Sequence, residues 1–327
     1  MSSRPLVVVL ATGGTISSRR RGSGEVVATD EARGLAGDID WGGTDVKFRD
    51  VMTIGSYQLR LSDMGRIVDA VADELARPEV TGVVVTHGTD TLEETAMLLD
   101  LVHADDRPVV FTGAQRPADC TDGDGRRNLR DAVSVAADPH ARGLGVLVSF
   151  GGDIFPARGV RKIHTTDLAA FGHPDGRLGS VVDGRPRISR SPLRPKPLTW
   201  TGNVDARVDM VLVYPGAETD LLTSAATAGA RGIVLVGTGI GNAPAGFSQA
   251  VAELTGQGVV VALSSRVQAG PVLGVYGNGG GADLISAGAV AVSDLPASQA
   301  RILLATLLSA HPDASPADVR TQFAELI

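Results

Sequence analysis

Short apolar runs rich in β-branched residues alternate along this chain with stretches whose apolar positions recur every three or four residues. Residues 6–10, 83–86, 109–112 and 146–150 are runs of the first kind and read as buried strands. Residues 62–76, 92–102 and 125–136 are of the second kind and read as amphipathic helices. This alternation predicts a parallel sheet covered by helices. Residues 179–189 hold two short runs around Asp183-Gly184, a dipeptide suited to a hairpin turn. Beyond it the segment SRSPLRPKPLTW, with Pro192, Pro195 and Pro197, breaks every periodicity, and residues 190–207 read as a linker. The pattern then restarts, with strands at 210–214, 233–236 and 259–263 and helices near 219–228, 246–254 and 296–309. The expected fold class is α/β. A larger N-terminal domain with a mostly parallel sheet (1–189) is followed by the linker and a smaller C-terminal α/β domain (208–327).

Composition narrows the function classes. A chain of 327 residues suffices for two cores. Hydrophobic residues at 43% and charged residues at 20% are ordinary for a globular protein. A net charge of -7 leaves no electrostatic footprint for nucleic acid. The single cysteine, Cys120, excludes an intramolecular disulfide framework. The first apolar run flows straight into Gly13-Gly14 instead of ending at a cleavage site, so it reads as a core strand and not a signal peptide. No run approaches the roughly 20 apolar residues of a membrane span. Together these features predict a cytoplasmic protein with neither membrane nor nucleic-acid partners.

Four separated segments carry chemistry: LATGGTIS (10–17), TIGSYQ (53–58), VVVTHGTDTLEET (83–95) and RKIHTTD (161–167). In the first, Gly13-Gly14 allows a sharp turn after the strand, which presents Thr15 at the strand's carboxyl end, where open α/β sheets bind ligands. In the third, Gly88 turns the chain, and Thr89-Asp90-Thr91 opens a helix whose first turn carries Glu93 and Glu94. Thr89 and Asp90 therefore point at the same crevice, although Thr89 taken alone also reads as a helix N-cap. A threonine hydroxyl is a weak nucleophile and needs a base. Lys162 is the one lysine near these motifs, and the arginines that dominate the basic residues cannot serve. The expectation is that Lys162 acts on Thr89 while Asp90 holds an α-ammonium. Backbone N–H groups around Gly14, Thr15 and Gly88 are the expected oxyanion donors.

The four segments together resemble the bacterial-type L-asparaginases, a two-domain amidohydrolase family that includes asparaginase-glutaminases. The resemblance covers nearly the whole chain and is carried by ATGGTI and HGTDT. It implies hydrolysis of L-asparagine to L-aspartate and ammonia, with weaker activity on glutamine. It also implies that Thr15 is the usual nucleophile and that Thr89, Asp90 and Lys162 form a second catalytic group, while motif order leaves open which threonine forms the ester. Ser56, followed by Tyr57, matches the residue that holds the substrate α-carboxylate. Ala114, in the TGAQRP turn, matches the alanine whose backbone takes the side-chain amide. No cofactor and no metal are implied. The family assembles as homotetramers built from intimate dimers, in which Asn242 and Tyr276 match the region that a partner subunit contributes.

Two departures stand out. Relatives carry a tyrosine in the mobile loop after the first threonine, but residues 17–41 contain none. Ser17, Ser18 and Ser23 are the candidates for its place, in a segment whose Gly, Ser and charged composition predicts a mobile lid. The sequence GIGNAPAG around Asn242 differs from the commoner intersubunit pattern. The six histidines show no ligand spacing, and His87 and His164, which adjoin the motifs, read as structural. The acidic residues Asp30, Asp38, Asp40 and Asp45 lack calcium-loop spacing. GTGIGNAPAG imitates a dinucleotide fingerprint, but Pro244 interrupts it. Two other functions share such a scaffold: a non-catalytic amino-acid sensor, which has no need for Thr15, Thr89 and Lys162 together, and an ammonia-supplying amidotransferase subunit, which carries a further N-terminal domain.

Overall fold

A computed structural model describes residues 4–22, 25–29, 34 and 39–327. The chain forms two compact units, Met1–Leu198 and Thr199–Ile327. The division falls inside the segment expected to be a linker. Its first half belongs to the first unit: Arg194 donates to the Asp100 carboxylate (3.1 Å) and the Leu198 N–H to the Leu101 carbonyl (2.7 Å).

The first unit contains β1 (Leu6–Gly13), β2 (Ser18–Arg20), β3 (Val26–Ala28), β4 (Asp45–Ile54), α1 (Leu61–Leu75), β5 (Val80–Thr86), α2 (Leu92–Val102), β6 (Val109–Thr112), α3 (Gly125–Ala137), β7 (Val146–Phe150), β8 (Asp153–Pro156), β9 (Arg161–Lys162), β10 (Phe171–Gly172), β11 (Gly179–Val182) and β12 (Arg185–Ile188). Among the described residues these build an eight-stranded sheet in the order β12-β11-β8-β7-β6-β5-β1-β4. From β4 to β7 the strands are parallel, and β8, β11 and β12 add an antiparallel margin. Alternation along the strands gives each face its own core. Val7, Val9, Val84, Val110 and Leu147 pack with Leu129, Ala132 and Val133 of α3. The opposite face carries Val8, Leu10, Val83, Val85 and Phe111, all buried. Full burial of each such side chain contributes about 1.5–3 kcal/mol.

The predicted hairpin is present, with Asp183 (φ 51°) and Gly184 (φ 72°) both left-handed at its turn, as a type I′ connection requires. β4 is the main element absent from the sequence reading. Asp45, Lys47, Arg49 and Asp50 interrupt its apolar positions, because it is an edge strand paired only with β1 and half open to water.

The second unit contains β13 (Val208–Leu212), α4 (Asp220–Thr227), β14 (Gly232–Gly237), α5 (Phe247–Gly256), β15 (Val260–Ser265), α6 (Gly281–Ser286), β16 (Val290–Ala291), α7 (Ala297–Ala310) and α8 (Pro316–Leu326). Its four strands run parallel in the order β13-β14-β15-β16. The chain is thus a two-part α/β protein with a larger, mostly parallel N-terminal sheet. Among the described residues no helix is long and apolar enough to cross a membrane.

Candidate active site

Sheet order places the site. From β1 the chain proceeds to β4 on one side, whereas from β5 it proceeds through α2 to β6 on the other. The connections diverge there, so the carboxyl ends of β1 and β5 flank a crevice of the kind that holds ligands in open α/β sheets. Thr15 follows β1, and Thr89 follows β5.

Glycine makes the two turns compatible. Gly14 has φ 80° and ψ -176°, a region essentially restricted to glycine. A Cβ on Gly14 would lie 2.4 Å from the Gly88 nitrogen, and one on Gly88 would lie 2.5 Å from Ser56 Oγ. Three of the four sequence segments therefore touch through backbone that a side chain would push apart. The Thr91 hydroxyl donates to the Ser56 carbonyl (2.9 Å) and ties the second segment to the third. Thr91, not Thr89, occupies the N-cap of α2, which frees the Thr89 hydroxyl for other partners.

Lys162 reaches the same point from β9. Its Nζ donates to Thr89 Oγ1 and to Asp90 Oδ1, both at 2.8 Å, and its backbone N–H donates to Glu93 Oε2 (2.7 Å). Thr89 is buried, the Lys162 side chain is only 18% exposed, and Asp90 is 55% exposed. The arrangement is an amine and a hydroxyl shielded from water, next to a carboxylate that faces it. Thr89 Oγ1 also lies 3.1 Å from Gln115 Oε1. Sequence reasoning missed Gln115 and the Glu93 anchor, because both contacts join residues far apart in the chain and neither belongs to a catalytic residue pattern.

Thr15 opens a short 3-10 turn and is half-buried. The Gly14 N–H donates to the Ile54 carbonyl (3.1 Å), which corrects its expected role as an oxyanion donor. The N–H groups of Thr15, Gly88, Thr89 and Asp90 donate to no described residue. Ala114 is buried, and both it and Ile16 face Gly125 at the start of α3, which brings the TGAQRP turn beside the Thr15 segment. Tyr57 is 73% exposed, with its ring over Gly55. Ser17 and Ser18 both donate to the Gly14 carbonyl (3.1 and 2.7 Å). Ser23 lies outside the described residues, as do Asp30 and Asp38. The expected lid begins as a hairpin of β2 and β3, and its Arg20 N–H donates to Asp119 (3.0 Å).

Asn242 and Tyr276 belong to the second unit. Asn242 Oδ1 accepts from the Gly281 N–H (3.0 Å) at the start of α6, and Tyr276 is 59% exposed. Cys120 is a free thiol. Among the described residues no group of acidic, cysteine or histidine side chains could hold a metal ion.

His87 is fully buried against Phe111, with ring centroids 5.9 Å apart. Its Nδ1 lies 2.7 Å from the Gly88 carbonyl, which can only accept, so Nδ1 carries the proton. Burial pushes its pKa down to about 4. The folded protein thus binds a second ring proton, at Nε2, more weakly than the unfolded chain, whose histidine titrates near 6.5. The resulting stability is complete above pH 6.5 and is lost as the pH falls toward 4. Between pH 7.5 and 5.0 the unfolding free energy should fall by about 2 kcal/mol on this account. Denaturant titrations at the two pH values check it: His87→Asn should lose less than the wild type, and an equal loss in both would remove His87 as the cause.

Comparison with known proteins bears on the whole chain. Residues 6–194 match the family described as "Asparaginase, N-terminal", and residues 207–323 match "Glutaminase/Asparaginase C-terminal domain". A probable L-asparaginase of Deinococcus radiodurans is 37% identical over 99% of this chain and 98% of its own length. A glutaminase-asparaginase of Pseudomonas aeruginosa is 34% identical over 81% of this chain and 76% of its own. The crystal structure of a probable cytoplasmic L-asparaginase from Campylobacter jejuni superposes with a TM-score of 0.86 at 29% identity, covering 98% of this chain and 99% of that one. With both halves matched in order and the four segments gathered at one sheet edge, the chain belongs to the bacterial-type L-asparaginase family.

Proposed function

We propose that this site hydrolyses the side-chain amide of L-asparagine to L-aspartate and ammonia through an acyl-threonine. The observation that carries the reading is Lys162 Nζ at 2.8 Å from both Thr89 Oγ1 and Asp90 Oδ1, at a sheet edge where Thr15 follows the adjoining strand. Thr15 Oγ1 attacks the amide carbon and forms a C–O bond, and its proton passes to the Lys162 amine, which Thr89 and Asp90 hold in place by accepting its N–H donors. The N–H groups of Thr15 and the Gly88 turn stabilise the oxyanion. The C–N bond then breaks as the nitrogen takes up a proton and leaves as ammonia. Water attacks the ester, releases aspartate and returns a hydrogen to Thr15. Ser56 holds the α-carboxylate, Asp90 the α-ammonium and the Ala114 backbone the departing amide. No cofactor takes part.

Glutamine is a weaker second substrate in this account. One extra methylene in a pocket is worth only about 1–3 kcal/mol of discrimination, and the Pseudomonas aeruginosa relative is named for both activities. The protein works in the cytoplasm, a reading supported by its single cysteine and the name of the Campylobacter jejuni structure. It assembles as a homotetramer of intimate dimers, with Asn242 and Tyr276 turned toward a neighbouring subunit's site. Sedimentation showing a fully active monomer would contradict that assembly.

The chemistry is tested with Thr15→Ala and Thr89→Ala, each of which should lower ammonia release from L-asparagine at least about 100-fold. A variant that keeps more than half of the wild-type rate removes that threonine from the mechanism.

A further inference from the structure

Gln115 has a more specific place in the site than its neighbours in the TGAQRP turn. Its Nε2 donates to two backbone carbonyls, Thr165 and Asp167, both at 3.1 Å. Carbonyls only accept, so these two contacts fix which end of the amide is nitrogen, and Oε1 must face Thr89. Oε1 in turn only accepts, so the Thr89 hydroxyl donates its single proton to Gln115 (3.1 Å). Thr89 Oγ1 is left with lone pairs for Lys162, whose Nζ lies 2.8 Å away. The chain of hydrogen bonds therefore runs in one direction, from Lys162 to Thr89 to Gln115.

Gln115 is itself held from two sides. Its backbone N–H, with that of Arg116, donates to the buried Asp124 carboxylate at 3.0 to 3.1 Å. Asp124 also accepts from the buried Asn128 side chain (3.0 Å), which donates in addition to the Gly113 carbonyl (3.0 Å). The carbonyls it grips are pinned by His164, whose Nδ1 accepts from the Thr166 and Asp167 N–H groups (3.2 and 2.8 Å). Those carbonyls lie three and five residues beyond Lys162. One side chain thus joins the turn bearing Thr89 to the segment bearing Lys162.

We propose that Gln115 is a positioning residue: it fixes the Thr89 hydroxyl so that an oxygen lone pair stays on the Lys162 amine. This rests on the reading that Thr89 and Lys162 act in amide hydrolysis. Without Gln115 the hydroxyl rotates between several directions, and the contact with the amine is made for only part of the time. Binding of substrate through Ser56 and Asp90 does not depend on it.

The test is Gln115→Met, which keeps length and volume and removes both ends of the amide, made in the wild type and in a Thr89→Ser background. Serine keeps the hydroxyl but lacks the β-methyl that stiffens threonine at χ1. A residue that fixes the hydroxyl matters more when that hydroxyl is freer. The expected result in the wild type is a fall in kcat of about tenfold, with KM within about twofold and the melting temperature unchanged. In the Thr89→Ser background the same substitution should cost a clearly larger factor. A kcat within twofold of the parent overturns the proposal. So does an equal loss in the two backgrounds, or a loss that tracks KM or melting temperature, since each marks Gln115 as a brace of the loop alone. Absence of ammonia release from the unsubstituted protein would instead remove the hydrolytic reading on which the proposal stands.

Discussion

Lys162→Met should abolish useful turnover while the fold survives, with kcat lower by about a thousandfold, within the range that a positioned proton-transfer group supplies. Methionine preserves the unbranched stem that reaches from β9 to the Thr89 turn. It removes the nitrogen that lies 2.8 Å from Thr89 and Asp90. The structural cost is small, because Asp90 is 55% exposed and regains water when its ion pair is lost. Pairs with one exposed member contribute about 0–1 kcal/mol. The Lys162 backbone N–H still donates to Glu93, so β9 keeps its anchor. Steady-state ammonia release and a thermal melt on the same preparation separate the two effects. Retention of a tenth or more of wild-type kcat would show that another group moves the proton.

Gly14→Ala should also silence the site, by a different route. The Gly14 φ of 80° with ψ near 180° costs a side-chain-bearing residue about 1–3 kcal/mol. In addition, the new Cβ would lie 2.4 Å from the Gly88 nitrogen and 2.5 Å from its Cα, and neither backbone atom can step aside alone. The Gly14 carbonyl accepts from the Ser17 N–H and from both the Ser17 and Ser18 hydroxyls, so any shift of Gly14 carries Thr15 with it. A displacement near 1 Å is enough to lower kcat by about 100-fold. Gly42→Ala is the control. Gly42 has φ 59° with nothing within 4 Å of its added Cβ, so that substitution meets backbone strain alone and should lose about 1–2 kcal/mol with full activity. Comparable loss of activity in both variants would show that strain, and not the approach of the two turns, is responsible.

How much was legible in the sequence depended on how local the determinants were. β1, β5, β6 and β7 announce themselves because strands buried on both faces read as continuous β-branched runs. β4 does not, since its outward positions are charged. α8 had a readable start in Ser315-Pro316, where Ser315 caps the Asp318 N–H, but its weak apolar periodicity concealed it. The meeting of Gly14, Gly88 and Ser56 follows from strand order, which no local pattern encodes. The residues that carry these turns were nonetheless visible, because a glycine-rich turn after a strand presents whatever polar residue comes next. Gln115 was hidden for the opposite reason. Its partners lie 26, 50 and 52 residues away, and a glutamine in a surface turn has no periodicity to mark it. His87 adjoined a motif and read as structural, and the structure gives the cause: its ring is fully buried and braces the Gly88 carbonyl.

The measurement that bears most directly on this account is the stoichiometry of products from L-asparagine incubated with the purified protein. Ammonia and L-aspartate should appear in equal amounts with saturable kinetics, and L-glutamine should be turned over more slowly. Saturable binding of L-asparagine with no ammonia released would contradict the account, because the amine, hydroxyls and carboxylate gathered at this sheet edge would then serve recognition alone.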